Sequence, residues 1–225
     1  MKQTGQASLR LRLLAQIEWP AGMAWLAPGE RERLASLGSE RRRQTFLAGR
    51  WLLRELLADV QGGGAPQTQS AEIDAEGRSH VAVGHANLSH SGDWCVAVWS
   101  EAPVGVDLEV LRPRADLMAI AERVASQREC AQLAATHDGP ERLQAFYRLW
   151  TLKEAALKST GQGLDFARMR GLEFEPVPAD GMAACTPLPR AGLQLAVCCA
   201  AALGELPGQA AGMPLAWQRL RVLTP

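Results

Sequence analysis

Three stretches of the 225-residue chain carry hydrophobic residues at the spacing of an α-helix. They run from Glu30 to Leu57, from about residue 116 to 135, and through "QAFYRLWTLKEAALKS". Strand-like patterns follow in "SHVAV", in the apolar run 94–99, in "VGVDLEV" (104–110), in "GLEFEPV" and in "LQLAVCCAAAL". Segments 61–70 and 176–192 are rich in Gly and Pro and are predicted to be loops. Because each half is a helix followed by strands, we predict an α+β fold.

The same pattern in both halves predicts two similar α/β lobes in a pseudo-two-fold arrangement. We expect an N-terminal lobe at 1–101 and a C-terminal lobe at 102–225. The active site is expected at the seam between the two lobes.

The third helix contains a carboxylate, Glu154, in its predicted buried stripe with Trp150 and Leu157. Burying an unpaired charge costs several kcal/mol or more, so Glu154 needs a partner. Lys153 and Lys158 flank the stripe, so either a neighbouring lysine or a metal ion could neutralise the carboxylate.

Two further acids alternate along the strand at 104–110. Asp107 and Glu109 point to the same face, roughly 6–7 Å apart by strand rise. That face is either solvated or built around a cation. Hard oxygen ligands without nearby His or Cys favour Mg²⁺ over zinc. With Glu154, the three acids would leave coordination positions open for phosphate oxygens.

Composition narrows the possible partners and the compartment. The 24 basic and 24 acidic residues cancel, which argues against nucleic acid or an anionic membrane as a partner. No apolar run approaches a membrane span and the N-terminus does not resemble a signal peptide, so we expect a cytoplasmic protein. The five cysteines include no C-x-x-C pair, which argues against a zinc site or a disulfide framework.

The combination of "NLSHSGDW", "VGVDLE" and "FYRLWTLKEAALKSTGQGL" resembles the 4′-phosphopantetheinyl transferase superfamily. Within it, the chain is similar to the double-length, monomeric enzymes that activate peptide synthetases and carrier proteins. The likeness runs from about Arg41 to Leu164 and includes "FLAGRWLLR" and "EGR". The motifs G-x-D-x-E and W-x-x-K-E-x-x-x-K are both complete. The resemblance implies Mg²⁺-dependent transfer of 4′-phosphopantetheine from coenzyme A to a serine of an apo acyl or peptidyl carrier protein, with release of 3′,5′-ADP.

The resemblance also implies roles for the residues at the seam. Asp107, Glu109 and Glu154 would bind Mg²⁺. Lys158 would hold the pyrophosphate of coenzyme A, and Lys153 would assist or approach the attacking hydroxyl. The general base is left open between Glu154, acting through a metal-bound water, and Glu129, which could instead be a solvated helix residue.

The nucleotide end of coenzyme A is expected in the N-terminal lobe. The resemblance implies that Ser89 and His90 contact it and that Arg78 approaches its 3′-phosphate. The family usually has Pro after this basic residue, where this chain has Ser79. A first-helix arginine is expected there too, but Arg42, Arg43 and Arg50 cannot be distinguished by alignment, and we take Arg43 and Arg50 as candidates.

Arginines are also candidates for docking an acidic carrier protein. They lie in the run 41–54 and at Arg112 and Arg114, although they could equally solvate a surface. Two alternative functions stay open from the residues. One is a different Mg²⁺-dependent phosphotransferase or nucleotide hydrolase, for which the chain lacks a P-loop motif. The other is a non-catalytic carrier-binding module.

Overall fold

The computed structural model describes residues 4–5, 7–161, 163, 165–207 and 209–223. Within these residues the helices are α1 (Pro28–Ser36), α2 (Glu40–Val60), α3 (Leu117–Val124), α4 (Gln127–Ala135), α5 (Pro140–Ser159) and α6 (Phe166–Gly171). The strands are β1 (Thr4–Gly5), β2 (Ala7–Leu13), β3 (Ala71–Ile73), β4 (Ser79–Val81), β5 (His85–Ser91), β6 (Trp94–Ser100), β7 (Val104–Val110), β8 (Glu173–Pro176), β9 (Ala183–Leu188), β10 (Leu193–Cys199), β11 (Ala202–Leu203), β12 (Gln209–Ala210), β13 (Met213–Pro214) and β14 (Gln218–Leu223). No helix among the described residues is long and apolar enough to cross a membrane.

The first half of the chain forms a three-stranded antiparallel sheet covered by α2. The strand order is β2-β6-β5. The apolar face of α2, including Trp51, Leu52 and Leu57, packs with Ala97 and Trp99 of β6 in one buried cluster. A two-residue turn at Gly92 and Asp93 joins β5 to β6.

The second half builds a five-stranded antiparallel sheet covered by α5. Its order is β7-β10-β9-β14-β8. Leu152 and Ala155 of α5 pack against Ala196 and Cys198 of β10. Helices α3 and α4 cover another side of α5, where Phe146 and Tyr147 are buried with Ala121.

The two halves repeat one order of elements. In each, a strand is followed by a long helix and then by two strands of a sheet, as β2-α2-β5-β6 and as β7-α5-β9-β10. In each sheet the last of these strands lies between the other two. The predicted α+β class with two similar lobes is therefore confirmed.

Several predicted boundaries were wrong in the first half. The helix expected from Glu30 to Leu57 is two helices, because Ser39 caps α2 and accepts a hydrogen bond from the backbone N–H of Arg42 at 3.3 Å. The polar turn expected at residues 89–93 is the end of β5, which extends to Ser91. The edge strand β2 was not predicted, and it pairs along its whole length with β6.

The second half differs in a similar way. The helix expected at residues 116–135 breaks into α3 and α4, because Ser126 caps α4. The segment expected to be a loop, residues 176–192, contains β9, which lies inside the sheet between β10 and β14. Strand β14 and the short helix α6 were also not predicted.

Candidate active site

The seam between the lobes is built from strands β5 and β7. Alternate side chains of β5 replace a backbone ladder by accepting hydrogen bonds from alternate N–H groups of β7. Asn87 Oδ1 accepts from Val106 N at 3.2 Å, Ser89 Oγ from Leu108 N at 3.3 Å, and Ser91 Oγ from Val110 N at 3.0 Å. This arrangement fixes the register of the two strands and places the serines beside the acids of β7.

Asp107 is the most buried acid of the seam, with 4% of its surface exposed. Its Oδ1 accepts hydrogen bonds from Ser89 Oγ at 3.0 Å and from Lys158 Nζ at 2.6 Å. Its Oδ2 is buried and has no hydrogen-bond partner among the described residues. Burial raises the pKa of Asp107 above its ordinary value, and the Lys158 ammonium partly opposes this rise.

Helix α5 approaches β7 closely because Gly105 lacks a side chain. A Cβ atom at this position would lie 2.1 Å from the carbonyl oxygen of Ala155 and 2.4 Å from the backbone N of Ser159. The glycine of the G-x-D-x-E motif therefore lets the last turns of α5 lie against the strand, which brings Lys158 within reach of Asp107.

The other two acids complete a negatively charged group. Glu109 is half-buried, and its Oε2 accepts a hydrogen bond from Ser91 Oγ at 2.7 Å. Glu154 is also half-buried and forms no ion pair within the part of the chain that the structure describes. Burial raises the pKa of both glutamates, and repulsion from Asp107 adds to the rise. The acids therefore lie near enough to interact, and their charge is only partly neutralised.

These observations fit a divalent cation. The unpartnered Oδ2 of Asp107 is a buried acceptor that a cation would satisfy, and carboxylate oxygens are the ligands that Mg²⁺ prefers. Among the described residues, however, no three acidic, histidine or cysteine side chains stand close enough together to form a ready-made metal group. Binding at this site therefore requires the side chains to move together.

Lys158 provides the positive charge of the seam, and His90 lies close enough to be affected by it. Lys158 Nζ also donates to the carbonyl oxygen of Val106 at 3.2 Å, and 29% of its side chain is exposed. The His90 ring is open to solvent on one side, but the surrounding walls partly desolvate it. This desolvation and the charge of Lys158 lower the pKa of His90 below its ordinary value.

A large groove of about 1090 Å³ opens beside the seam in the N-terminal half. Ser89, His90 and Ser91 line one side of the groove. The two serines also hold the acids, because Ser89 donates to Asp107 and Ser91 donates to Glu109. Its other walls carry several arginines: Arg33, Arg41, Arg42, Arg50 and Arg112. The groove therefore combines positive charge with an opening next to the acids, as a polyphosphate ligand would require.

Arg50 and Arg43, the two arginines of α2 that the sequence suggested for the 3′-phosphate, lie in different surroundings. Arg50 lines the groove, but its guanidinium is held by the buried carboxylate of Glu30, by Ser79 Oγ at 2.7 Å and by the carbonyl oxygen of Glu72 at 3.3 Å. Arg43 is exposed and lies 3.9 Å from Glu40. Arg42 and Arg33 line the groove and form no ion pair within the described chain, so they are better placed to meet an anion there.

Lys153 and Glu129 form a buried pair rather than an open catalytic pair. Lys153 is fully buried, and its Nζ lies 2.9 Å from Glu129 Oε2. The same ammonium donates to the carbonyl oxygens of Met169 and Leu172 at the end of α6. Glu129 also caps α4 by accepting from the backbone N–H of Ser126 at 2.8 Å. These contacts favour a structural role for both residues.

The remaining arginines that the sequence singled out lie at three places. Arg78 is bonded within its own hairpin and to the carbonyl oxygen of Gly161. Arg112 lines the groove, and Arg114 Nε donates to the hydroxyl of Tyr147 at 3.2 Å. Both residues are exposed, and both contact the Tyr147 hydroxyl, Arg112 through its backbone N–H at 3.4 Å.

Sequence reasoning missed three residues that build the seam: Asn87, Ser91 and Gly105. A signal for the first two exists in "NLSHS", where polar side chains alternate with the period of a strand. Reading this segment as a turn concealed that alternation. The signal for Gly105 is the motif itself, but its physical reason depends on where α5 packs.

Taken together, two α/β lobes that join at an acid-lined seam beside an arginine-rich groove define a protein suited to a phosphorylated ligand. Residues 103–196 match the family model described as "4'-phosphopantetheinyl transferase superfamily". The 4′-phosphopantetheinyl transferase AcpT of Salmonella typhi is 36% identical over 66% of this chain and 79% of its own. The protein slr0495 of Synechocystis sp. is 32% identical over 77% of this chain and 76% of its own. The chain belongs to the 4′-phosphopantetheinyl transferase superfamily.

Two other similar proteins are covered over a smaller share of their own length. The 4′-phosphopantetheinyl transferase HetI of Nostoc sp. is 34% identical over 61% of this chain and 60% of its own. The crystal structure of the Thermotoga maritima holo-[acyl-carrier-protein] synthase (AcpS) is 18% identical and covers 44% of this chain and 67% of that chain. Its TM-score of 0.32 is too low for a comparison of the two folds in detail.

Proposed function

We propose that this protein transfers the 4′-phosphopantetheine group of coenzyme A to a serine hydroxyl of an apo acyl or peptidyl carrier protein and releases 3′,5′-ADP. The observation that carries the proposal is the position of Lys158 and Asp107 at the seam, directly beside the arginine-lined groove. Family membership supports the reaction, since several relatives are named for this transfer.

The two lobes would bind different parts of coenzyme A. We take the lobe boundary near residue 101, in the turn between β6, which ends at Ser100, and β7, which begins at Val104. The N-terminal lobe, 1–101, would hold the nucleotide end of coenzyme A against Arg42, Arg33 and His90. The C-terminal lobe, 102–225, would supply the three acids and Lys158. Because both lobes belong to one chain, a monomer suffices to build the site.

A Mg²⁺ ion held by Asp107, Glu109 and Glu154 would neutralise charge on the pyrophosphate as it reacts. Lys158 would exchange its bond to Asp107 for a phosphate oxygen, and the His90 ring would donate a hydrogen bond to the same group. In the transfer, the serine oxygen forms a bond to the β-phosphorus while the bond to the leaving 3′,5′-ADP breaks. Positioning and charge neutralisation account for such a reaction without a protein nucleophile.

Of the two candidate bases for the serine proton, Glu154 fits better than Glu129. Glu154 lies at the seam, close enough to Asp107 and Lys158 to feel their charges, which is where the serine hydroxyl must react. Glu129 is already engaged as the cap of α4 and as the partner of Lys153. We therefore assign the base to Glu154 in this proposal.

The test is mass spectrometry of an apo carrier protein after incubation with the enzyme, coenzyme A and Mg²⁺. A gain of one phosphopantetheine group, lost on adding a chelator, supports the proposal. Glu154→Gln should abolish the gain, whereas Glu141→Gln, an exposed residue at the other end of α5, should retain it. Cleavage of coenzyme A without carrier modification would instead identify a hydrolase. Carrier binding without any transfer would identify a binding module.

A further inference from the structure

The hairpin β3–β4 reaches from the N-terminal lobe to the end of α5, and Arg78 at its tip makes the connection. All three guanidinium nitrogens of Arg78 donate hydrogen bonds. Nε donates to Asp74 Oδ2 at 2.6 Å and Nη2 to Glu76 Oε2 at 2.9 Å, both within the hairpin. Nη1 donates to the carbonyl oxygen of Gly161 at 2.9 Å, 83 residues away along the chain. The two acids therefore orient the guanidinium toward the other lobe.

The turn-side end of β4, next to Arg78, is anchored to the N-terminal lobe as well. Ser79, next to Arg78, accepts a hydrogen bond from Arg50 Nη1 at 2.7 Å through its Oγ. Arg50 in turn is bound by Glu30, whose side chain is fully buried. The serine that stands where the resemblance leads one to expect Pro thus ties the hairpin to α2. A proline would provide no hydroxyl for this bond.

The acceptor of the Arg78 bond lies directly after the anion-binding end of α5. Gly161 has a positive φ of +66°, which favours glycine, and its backbone N–H bonds the carbonyl oxygen of Lys158 at 3.2 Å. Holding the Gly161 carbonyl therefore restrains the last turn of α5. That turn carries Lys158, whose ammonium must stay between Asp107 and the groove.

We propose that Arg78 is a positioning residue: it clasps the β3–β4 hairpin to Gly161 and so fixes Lys158 at the seam between the lobes. The expected effect of Arg78 on catalysis rests on the proposed function. The hydrogen bond from Arg78 to Gly161 does not depend on that reaction. It differs from the role that the resemblance implies for Arg78, a ligand of the 3′-phosphate of coenzyme A. A clasp serves every substrate equally, whereas a phosphate ligand distinguishes coenzyme A from 3′-dephospho-coenzyme A.

The experiment compares wild type with Arg78→Ala, Arg78→Lys and a control, Arg221→Ala, which removes an exposed arginine paired with Glu175 elsewhere. With Arg78→Ala, kcat/KM should fall by about tenfold for coenzyme A and for 3′-dephospho-coenzyme A alike. Lysine cannot bond three acceptors in a fixed fork, so Arg78→Lys should not restore the rate. A loss confined to coenzyme A, or full rescue by lysine, would overturn the clasp.

Hydrogen exchange gives a readout that does not depend on activity. Arg78→Ala should speed exchange at the Thr160 and Gly161 amides about tenfold, while the interior of α5 keeps its protection. Unchanged exchange at these two amides would also overturn the clasp. If wild type showed no transfer to any carrier, the proposed function would fail, yet this measurement would still decide whether Arg78 restrains the end of α5.

Discussion

Replacing Glu154 by Gln should stabilise the metal-free protein while destroying its function. Glu154 is half-buried, and within the described chain it forms no ion pair, although Asp107 and Glu109 lie close enough to raise its pKa. The glutamine keeps the size and shape of the side chain but removes a charge that Lys158 compensates only in part in the folded state. An unfolded chain exposes that charge to water, so the carboxylate favours unfolding.

The pH dependence of this gain in stability follows from the direction of the pKa shift of Glu154. A carboxyl whose folded pKa is raised loses stability as the pH rises from its usual value of 4.5 through the folded pKa. The advantage of Glu154→Gln is therefore absent below pH 4.5 and complete above the folded pKa. A single substitution typically changes the free energy of unfolding by on the order of 1 kcal/mol, and we expect a gain of that size, about 2–4 °C in Tm for a chain of this length.

The assay is thermal unfolding at pH 8, with a chelator and then with Mg²⁺. Without metal, Glu154→Gln should have a higher Tm than wild type. The control Glu141→Gln should have the same Tm as wild type. Because an ion that binds only the folded state stabilises it, by about 2.7 kcal/mol at 100 times its Kd, Mg²⁺ should raise the Tm of wild type and of Glu141→Gln. It should raise the Tm of Glu154→Gln much less.

Two results would refute the reasoning. If Glu154→Gln were less stable than wild type without metal, the carboxylate would have a stabilising partner, as in an ordinary Glu–Lys pair. If Mg²⁺ stabilised both proteins equally, Glu154 would not be a ligand. Asp107 is not suitable for this test, since Lys158 and Ser89 already bind it and its removal would leave them unpaired.

Three further predictions concern groups of the N-terminal half. Glu30→Ala should cost about 3–5 kcal/mol, seen as a Tm loss of at least about 6 °C, because it leaves the buried guanidiniums of Arg50 and Arg54 without their carboxylate; an unchanged Tm would contradict this. Because the pKa of His90 is lowered in the folded state, the unfolded chain binds a proton first as the pH falls below 6.5, and the folded protein loses stability. Between pH 7 and 5.5 the Tm of wild type should therefore fall more than the Tm of His90→Gln. Burial raises the pKa of Cys95 to about 12, so alkylation at pH 8 should need denaturant, and rapid labelling of the native protein would argue against this burial.

The sequence was sufficient for the elements with a strong and uninterrupted pattern. Helix α5 and strands β6 and β7 were predicted, because a long apolar period or a continuous apolar run identifies them without tertiary information. Strand β2 was missed although Leu9, Leu11 and Leu13 alternate with two arginines there. The charged side chains make this segment resemble a solvated terminus, and it becomes a strand because its backbone pairs with β6.

Strand β9 shows the opposite difficulty. It lies inside the sheet, yet its segment contains Pro187 and is flanked by Gly181 and Gly192, which are residues typical of loops. Nothing in the local pattern reveals that β10 and β14 lie on either side of it. Only the pairing of strands distant in sequence decides the structure here.

The pairing of charges in the site could not be deduced from the sequence either. Lys153 and Lys158 both flank the predicted stripe, but five residues turn a helix by about 140°, so they point to different neighbours. Lys153 meets Glu129 and the end of α6, because α5 is packed on that side as well. Lys158 meets Asp107 at the seam.

This difference in environment decides which lysine can bind an anion. Lys153 is fully buried and already bonded to three oxygens, so moving it toward a substrate would leave the Glu129 carboxylate and two carbonyl groups without their donor. Lys158 keeps 29% of its side chain exposed, and water can solvate its ammonium while it exchanges the carboxylate of Asp107 for a phosphate oxygen. The same exchange would leave Asp107 Oδ1 with only the Ser89 hydroxyl as a donor beside the unpartnered Oδ2, and the carboxylate could then turn more of its negative charge toward a cation. Anion and cation binding at this seam should therefore be cooperative, because each ligand relieves the charge that the other leaves unpaired.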